Sequence, residues 1–429
     1  MKIKTKEKSY SEVMALPKEK HKKPIRQLKI FRMLLKAVSQ FELKATHFTC
    51  EKIGMDRLGS KEPCLILMNH SSFIDIEIVA QLLADREYHI VCTLDGFVGK
   101  NLLMRLFGCI STKKFINDIN LVKDMRYTVK DLKASVLMYP EASYSFDGTQ
   151  TPLPSSLAKC IKLLKVPVIM IRTQGAFLRD PLYNCLQKRK VKVQASMEYL
   201  LSPEEIEQKS AHELNNILHK AFCIDNFRQQ QEQNILVKEQ FRADGLQRVL
   251  YRCPHCQTEG KMQGKGTNIT CEACNQTYEL TENGYLRALN GETIFSHIPD
   301  WYQWERECVR RDLENNTYEL DIEVDIYMLI DTKCIYKVGD GRLRHTTEGF
   351  HLTGCDGELD YRQLPQASYS LYSDFYWYEI GDMISIGDEQ VQYYCFPKNG
   401  ENVVAKTRLA AEELYKIKHS VKNRRENGN

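Results

Sequence analysis

Between about residues 46 and 235, short apolar runs alternate with stretches of helical periodicity. The runs 64–68, 89–92, 135–139, 166–171 and 191–195 have the length and content of buried strands. Helical patterns follow the first four, which predicts an α/β domain over 46–235 with a largely parallel sheet. The stretch 202–222 reads as one helix, with Ser202 as N-cap, Pro203 at the first helical position and Glu204 and Glu205 in the first turn. Ahead of the domain, 25–43 also has helical spacing. Arg26, Lys29, Arg32 and Lys36 recur along it, and Leu28, Phe31, Leu34, Leu35, Val38 and Phe41 fill the remaining positions.

The pattern changes after residue 223. Residues 224–248 are polar and Gln-rich and read as a linker or an exposed helix, and a compact cysteine-rich unit follows at 250–290. A charged helical stretch begins near Trp301 and Trp304. From 316 to 399 short β runs alternate with Gly/Asp turns such as Gly339-Asp340-Gly341, and a last helix spans about 403–419. Residues 291–420 are therefore expected to form a β-rich domain closed by a helix, a pleckstrin-homology-like outline, with 422–429 as a frayed polar tail.

Charge sharpens this picture. The formal net charge of +4 conceals twelve Lys/Arg against three Glu in residues 1–36, a local balance of +9 that leaves about −5 for the rest. Residues 1–23 read as a disordered Lys-rich start. With the helix after it, the segment 1–45 forms a basic arm suited to an anionic partner, either a membrane surface or nucleic acid. The first 24 residues lack the apolar core of a secretory signal, and no window of 18–20 residues is apolar enough to span a bilayer. The 15 cysteines are accordingly read as reduced thiols rather than a disulfide framework.

The segment Leu65-Ile66-Leu67-Met68-Asn69-His70-Ser71-Ser72-Phe73-Ile74-Asp75 carries the candidate chemistry. An apolar strand ends on Asn69, a polar turn follows and an apolar helix begins. His70 thus lies at the carboxyl end of a strand, where sites in open α/β sheets gather. Across that turn the Asp75 carboxylate can reach back to the imidazole, fix its tautomer and stabilise its protonated form. Taken alone, the same residues also fit a helix start with an acidic group favouring the dipole. Ser71 and Ser72 read as turn and cap residues.

Wider order and spacing resolve that choice. Asn69-His70 through Asp75 resembles the first motif of the PlsC-type lysophospholipid acyltransferases, a His followed five residues later by Asp. Tyr139-Pro140-Glu141-Ala142-Ser143-Tyr144 after an apolar run is similar to the family's Pro-Glu-Gly-Thr-Arg-Ser motif, and Val166-Pro167 to its last motif. The resemblance covers roughly 55–200. It implies acyl transfer from acyl-CoA or acyl carrier protein to a hydroxyl of a lysophospholipid, by default 1-acylglycerol 3-phosphate to give phosphatidic acid. His70 is the implied general base, oriented by Asp75, and Glu141 and Ser143 belong to the substrate-binding motif. Ala142 and Tyr144 replace the family's Gly and Arg. The phosphate-holding Arg of the second motif is absent from Lys113-Lys114-Phe115-Ile116; Lys113, Lys114 or Arg126 is a candidate to hold the phosphate instead, and a surface role is the alternative reading of the lysines. Glycerol 3-phosphate or a glycolipid is an alternative acceptor, and a non-catalytic zinc-ribbon adaptor is a reading of another class. The resemblance and the basic amphipathic segment together imply a peripheral protein on the cytoplasmic face of an anionic membrane.

Cys253-Pro254-His255-Cys256 and Cys271-Glu272-Ala273-Cys274 form two Cys-x-x-Cys knuckles, the spacing of a structural Zn²⁺ site with four thiolates. His255 should point outward. Residues 250–290 hold four Lys/Arg and four Glu, so this ribbon lacks the basic footprint of a nucleic-acid binder, and no nucleic-acid partner is expected.

Overall fold

The computed structural model describes residues 2–426 apart from 18, 117, 399 and 401, with side chains as far as Ser420. Seven strands form the sheet of the first domain: β1 (Thr49–Ile53), β2 (Leu65–Met68), β3 (Tyr88–Thr93), β4 (Cys109–Thr112), β5 (Ser135–Met138), β6 (Val168–Gln174) and β7 (Gln194–Leu201). Their order is β1-β7-β6-β2-β5-β3-β4, and every pairing is parallel except β6 with β7. The expected parallel α/β domain is present as a mixed sheet. Its centre, β2, is buried at every position because helices cover both faces, which explains its uninterrupted apolar run. β1 and β4 were not expected. They are edge strands, short and partly exposed, and so carry no hydrophobic run. β7 begins three residues later than the run at 191–195, whose Val191 and Val193 fill the core ahead of the strand.

The stretch 202–222 is two helices, Pro203–Gln208 and Ala211–Phe222. Each opens on its own capping box, Ser202 with Glu205 and Ser210 with Glu213, and the second box breaks what looked like one helix. Residues 224–248 are not a linker. Asp225 caps a helix at Asn226–Glu232, and the Gln230 and Gln231 side-chain amides donate to the carbonyls of Glu282 and Gly284. Val237, Ala243 and Leu246 are buried in a core shared with the cysteine-rich unit.

That unit is a four-stranded antiparallel sheet, Met262–Lys265, Asn268–Cys271, Thr277–Leu280 and Leu286–Ala288. The helix Ile298–Glu314 follows, and its fully buried Trp301 donates to the Arg252 carbonyl. Seven strands between Leu320 and Pro397 then form an antiparallel meander whose first strand, Leu320–Leu329, pairs with its last, Gln392–Pro397. The helix Val404–Glu426 packs against Ile298–Glu314 and the strand Tyr372–Trp377. It carries 422–426, expected as a frayed tail, and 427–429 lie outside the described residues.

The N-terminal arm departs most from expectation. Thr5–Glu7 is a strand paired in parallel with Ile335–Lys337, which makes the C-terminal sheet eight-stranded. A short helix, Tyr10–Met14, follows behind a Ser9/Glu12 capping box and buries Val13 completely. Lysines alternating along an edge strand keep their charges in water while the backbone pairs, so a basic composition did not entail disorder. The expected helix at 25–43 is Lys29–Ala45 and packs on the helix Ile74–Leu82. Arg32 leaves the anticipated basic row: it is buried and donates to the Ala84 carbonyl and the Gln27 side chain.

Candidate active site and cysteine cluster

The end of β2 is pinned from both sides. The Asn69 side chain accepts from the Thr173 backbone N–H at 2.8 Å and donates to the Ser71 hydroxyl at 2.8 Å, which ties the turn to β6. The His70 backbone N–H donates to Glu141 Oε2 at 2.9 Å. Asp75 Oδ2 then collects three partners: His70 Nδ1 at 3.1 Å, Ser71 N–H at 2.8 Å and Ser72 N–H at 3.2 Å. Ser71 and Ser72 therefore shape the turn with their backbones, while Phe73 occupies the N-cap position without a side-chain cap. A neutral imidazole whose Nδ1–H donates to that carboxylate carries its lone pair on Nε2.

The pair is strongly desolvated. Asp75 is fully buried, its Oδ1 has no hydrogen-bond partner, and the His70 side chain is 17% exposed. Burial raises the Asp75 carboxyl to about 7 against the pull of the Ser71 and Ser72 N–H groups. Burial, and secondarily the nearby Lys114 charge, holds the imidazole well below its ordinary value. Two tyrosine rings stack on it, Tyr139 at 4.3 Å and Tyr144 at 3.9 Å between centroids. A neutral imidazole beside a carboxylate, shielded from water, is an arrangement that can take a proton from a hydroxyl placed at Nε2.

The remaining sequence-derived candidates are distributed as follows. Glu141 has both carboxylate oxygens engaged: Oε2 with His70 and Oε1 with the Thr151 N–H at 2.8 Å. Burial raises it to about 7, opposed by those two N–H groups. Ser143 is buried, and its hydroxyl accepts from Arg408 at 2.8 Å. Lys113 donates to the Glu389 carbonyl. Lys114 Nζ lies 4.0 Å over the Tyr372 ring, where burial lowers its pKa and the charges of Asp95 and Asp374 oppose that shift. Arg126 is exposed on the helix Ile119–Lys130. Glu141 and Ser143 thus brace the loop behind His70, whereas the two lysines turn toward the C-terminal domain. Sequence reasoning missed Tyr139, Thr151 and Arg408 as members of this site. Tyr144 had been visible only as a substituted motif position, and Arg408 left no local signal at all.

The four knuckle cysteines converge. Their Sγ atoms all lie within 4.8 Å of one another, with Cys253–Cys274 and Cys256–Cys271 at 3.7 Å. Tetrahedral bonds of about 2.3 Å to Zn²⁺ would separate sulfurs by about 3.8 Å, so these residues fit a metal ion such as zinc. His255 is exposed.

Comparison with known proteins bears on the first of these sites. Residues 49–174 match the acyltransferase family model, a span that holds His70, Asp75, Glu141 and both tyrosines. Among solved structures, the chain is similar to the 1-acyl-sn-glycerophosphate (LPA) acyltransferase PlsC from Thermotoga maritima. The identity is 15%, the match covers 45% of this chain and 77% of that one, and the TM-score is 0.35. No curated protein matches the chain.

Proposed function

We propose, from the premise that residues 49–174 match the acyltransferase family model, that this chain moves a fatty acyl group from a thioester to a hydroxyl of a lysophospholipid. The observation that carries the reading is the His70–Asp75 contact of 3.1 Å at the carboxyl end of the central strand, inside the matched segment. His70 Nε2 removes the acceptor hydroxyl's proton as the oxygen attacks the thioester carbonyl. The C–S bond then breaks, and the imidazolium returns the proton to the leaving thiolate. Asp75 steadies the imidazolium between these events, and the proton transfer through His70 contributes about 10²–10⁴-fold. The donor is acyl-CoA or acyl carrier protein. The default acceptor is 1-acylglycerol 3-phosphate, with glycerol 3-phosphate or a glycolipid as the alternative.

Such substrates reside in bilayers, and a surface supports access to one. On the helix Lys29–Ala45, Ile30, Met33, Leu34, Val38 and Phe41 are exposed; Phe41 is 81% and Ile30 73% accessible. Lys29 and Lys44 flank this apolar stripe. Phe73 and Ile76, next to the catalytic turn, are exposed as well. A helix with this distribution lies in the headgroup region of an anionic membrane, and we place the protein peripherally on the cytoplasmic face. Among the described residues no helix is long and apolar enough to cross the bilayer. The cysteine cluster is read as a structural Zn²⁺ site, since four protein ligands leave no open coordination position. The C-terminal meander, closed by a helix, is read as pleckstrin-homology-like.

The test is transfer of labelled acyl groups from acyl-CoA to liposomes doped with a panel of lysophospholipids, comparing wild type with His70→Ala. Transfer that the substitution abolishes supports the reading. No transfer to any acceptor, from acyl-CoA or acyl carrier protein, contradicts it.

A further inference from the structure

The family's Glu-containing motif carries a cation three residues after the Glu, and this chain has Tyr144 there. A guanidinium nevertheless reaches the same loop from far along the chain. Arg408, on the helix Val404–Glu426, is 3% exposed. Its Nη2 donates to the Ser143 hydroxyl at 2.8 Å and its Nη1 to the Tyr144 carbonyl at 3.2 Å. The same group lies 4.5 Å over the Phe146 ring, so it grips three of the five residues that follow Glu141.

Arg408 is itself held in place. Its Nε donates to Glu412 at 3.2 Å, and Glu412 also accepts from the Ser370 hydroxyl at 2.6 Å and pairs with Arg306 at 2.8 Å. The C-terminal domain adds a second grip through Phe375, stacked on Phe146 at 4.2 Å. A third contact reaches the other flank of the site: the Tyr372 hydroxyl donates to Asp95 at 2.7 Å under the Lys114 ammonium. Two consequences converge on His70. The gripped loop presents Glu141 to the His70 backbone N–H, and it lays the Tyr144 ring on the imidazole.

We propose that Arg408 is a positioning residue for the acyl-transfer site, by which the C-terminal domain fixes the loop at 140–148 so that Glu141 and Tyr144 hold the His70 imidazole in place. The proposal rests on the acyltransferase reading for its catalytic consequence, but the clamp is a statement about His70 alone. Arg408 contacts the loop rather than substrate, and its charge is met by Glu412, so it replaces the missing motif cation as a brace. The C-terminal domain is then part of the transferase unit rather than an attachment to it.

Arg408→Ala takes one of two arginines from the buried Glu412 and empties the space of a buried guanidinium, which risks the fold, so two milder variants carry the test. Arg408→Lys keeps the charge beside Glu412 and loses the forked grip. Ser143→Ala removes one contact and leaves the ion pair intact. Each variant is compared with wild type by circular dichroism and by the rate at which diethyl pyrocarbonate modifies His70, read by peptide mass spectrometry. Each is also assayed for kcat and KM of acyl transfer from acyl-CoA to lysophospholipid liposomes. Both variants should fold as wild type. His70 should be modified several-fold faster as the tyrosine ring lifts away, and kcat should fall by up to about 10²-fold, since a misplacement near 1 Å suffices for that. KM should change far less than kcat. Folded variants with wild-type His70 reactivity and wild-type kcat overturn the proposal. If wild type itself transfers no acyl group, the acyltransferase reading falls, and the His70 modification rates still decide whether Arg408 positions the ring.

Discussion

The cysteine cluster and the His70 turn are both built on short motifs, yet they are completed in opposite ways. All four sulfurs of the cluster come from residues 253–274, and two Cys-x-x-Cys knuckles bring them within 4.8 Å. The His70 turn contributes the imidazole, its carboxylate and the Ser71 and Ser72 N–H groups that hold that carboxylate. Its supports arrive from Glu141 and Tyr144 after β5, from Thr173 on β6 and from Arg408 near the other end of the chain. A site that needs only four equivalent ligands can be encoded locally. A site that must desolvate a base and hold it at a fixed angle draws on the whole fold.

This contrast can be broken at either end, and the largest effect is expected at the cluster. Structural Zn²⁺ contributes on the order of 10–16 kcal/mol of apparent binding free energy in small ribbons. Removing it with a chelator, or by Cys256→Ser, should release about one metal ion per chain, measured by elemental mass spectrometry. The core shared by Leu280, Leu286 and Trp301 should loosen with it, lowering the melting temperature. A protein that retains its melting temperature without metal would make the cluster dispensable.

His70→Ala should come next, with kcat lower by about 10³-fold and the fold intact. Asp75→Asn should follow at about 10²-fold, because an amide at 3.1 Å still orients the ring but no longer stabilises its cation. If Asp75→Asn were silent, the carboxylate would serve only the Ser71 and Ser72 N–H groups. The smallest effect should be a gain. Ala142 has a φ of 56°, a left-handed conformation that costs a residue with a Cβ about 1 kcal/mol. Ala142→Gly should therefore stabilise the protein by roughly that amount in denaturant titration, and no gain would mean that the methyl group packs usefully there.

What could be read in the sequence follows the same division. The central strands announced themselves because a strand covered on both faces must be apolar throughout, as β2 is. β1 and β4, paired on one side only, had no such constraint. Ser202 is legible as a cap, yet the second capping box at Ser210, equally present in the residues, is hidden inside a stretch whose pattern reads as one helix. The N-terminal strand was hidden by its lysines, since composition reports on side chains and Thr5–Glu7 is held by backbone pairing with Ile335–Lys337. His70, Asp75 and the four cysteines were legible because each set is close in sequence. Arg408 was not, because the loop it clamps lies more than 260 positions away, and nothing near either partner marks the contact.

The central claim is that the His70–Asp75 pair is the base, and the pH dependence of kcat/KM for acyl transfer tests it most directly. The pair titrates as a unit. Burial raises Asp75 to about 7 and depresses His70, so the active form, ionised Asp75 beside neutral His70, prevails above that value and takes up a proton below it. The wild-type rate should thus fall as the pH drops through about 7. His70→Ala should give a residual rate about 10³-fold lower that lacks this limb. A wild-type profile flat through neutrality, or a His70→Ala profile that keeps the limb, would contradict the account.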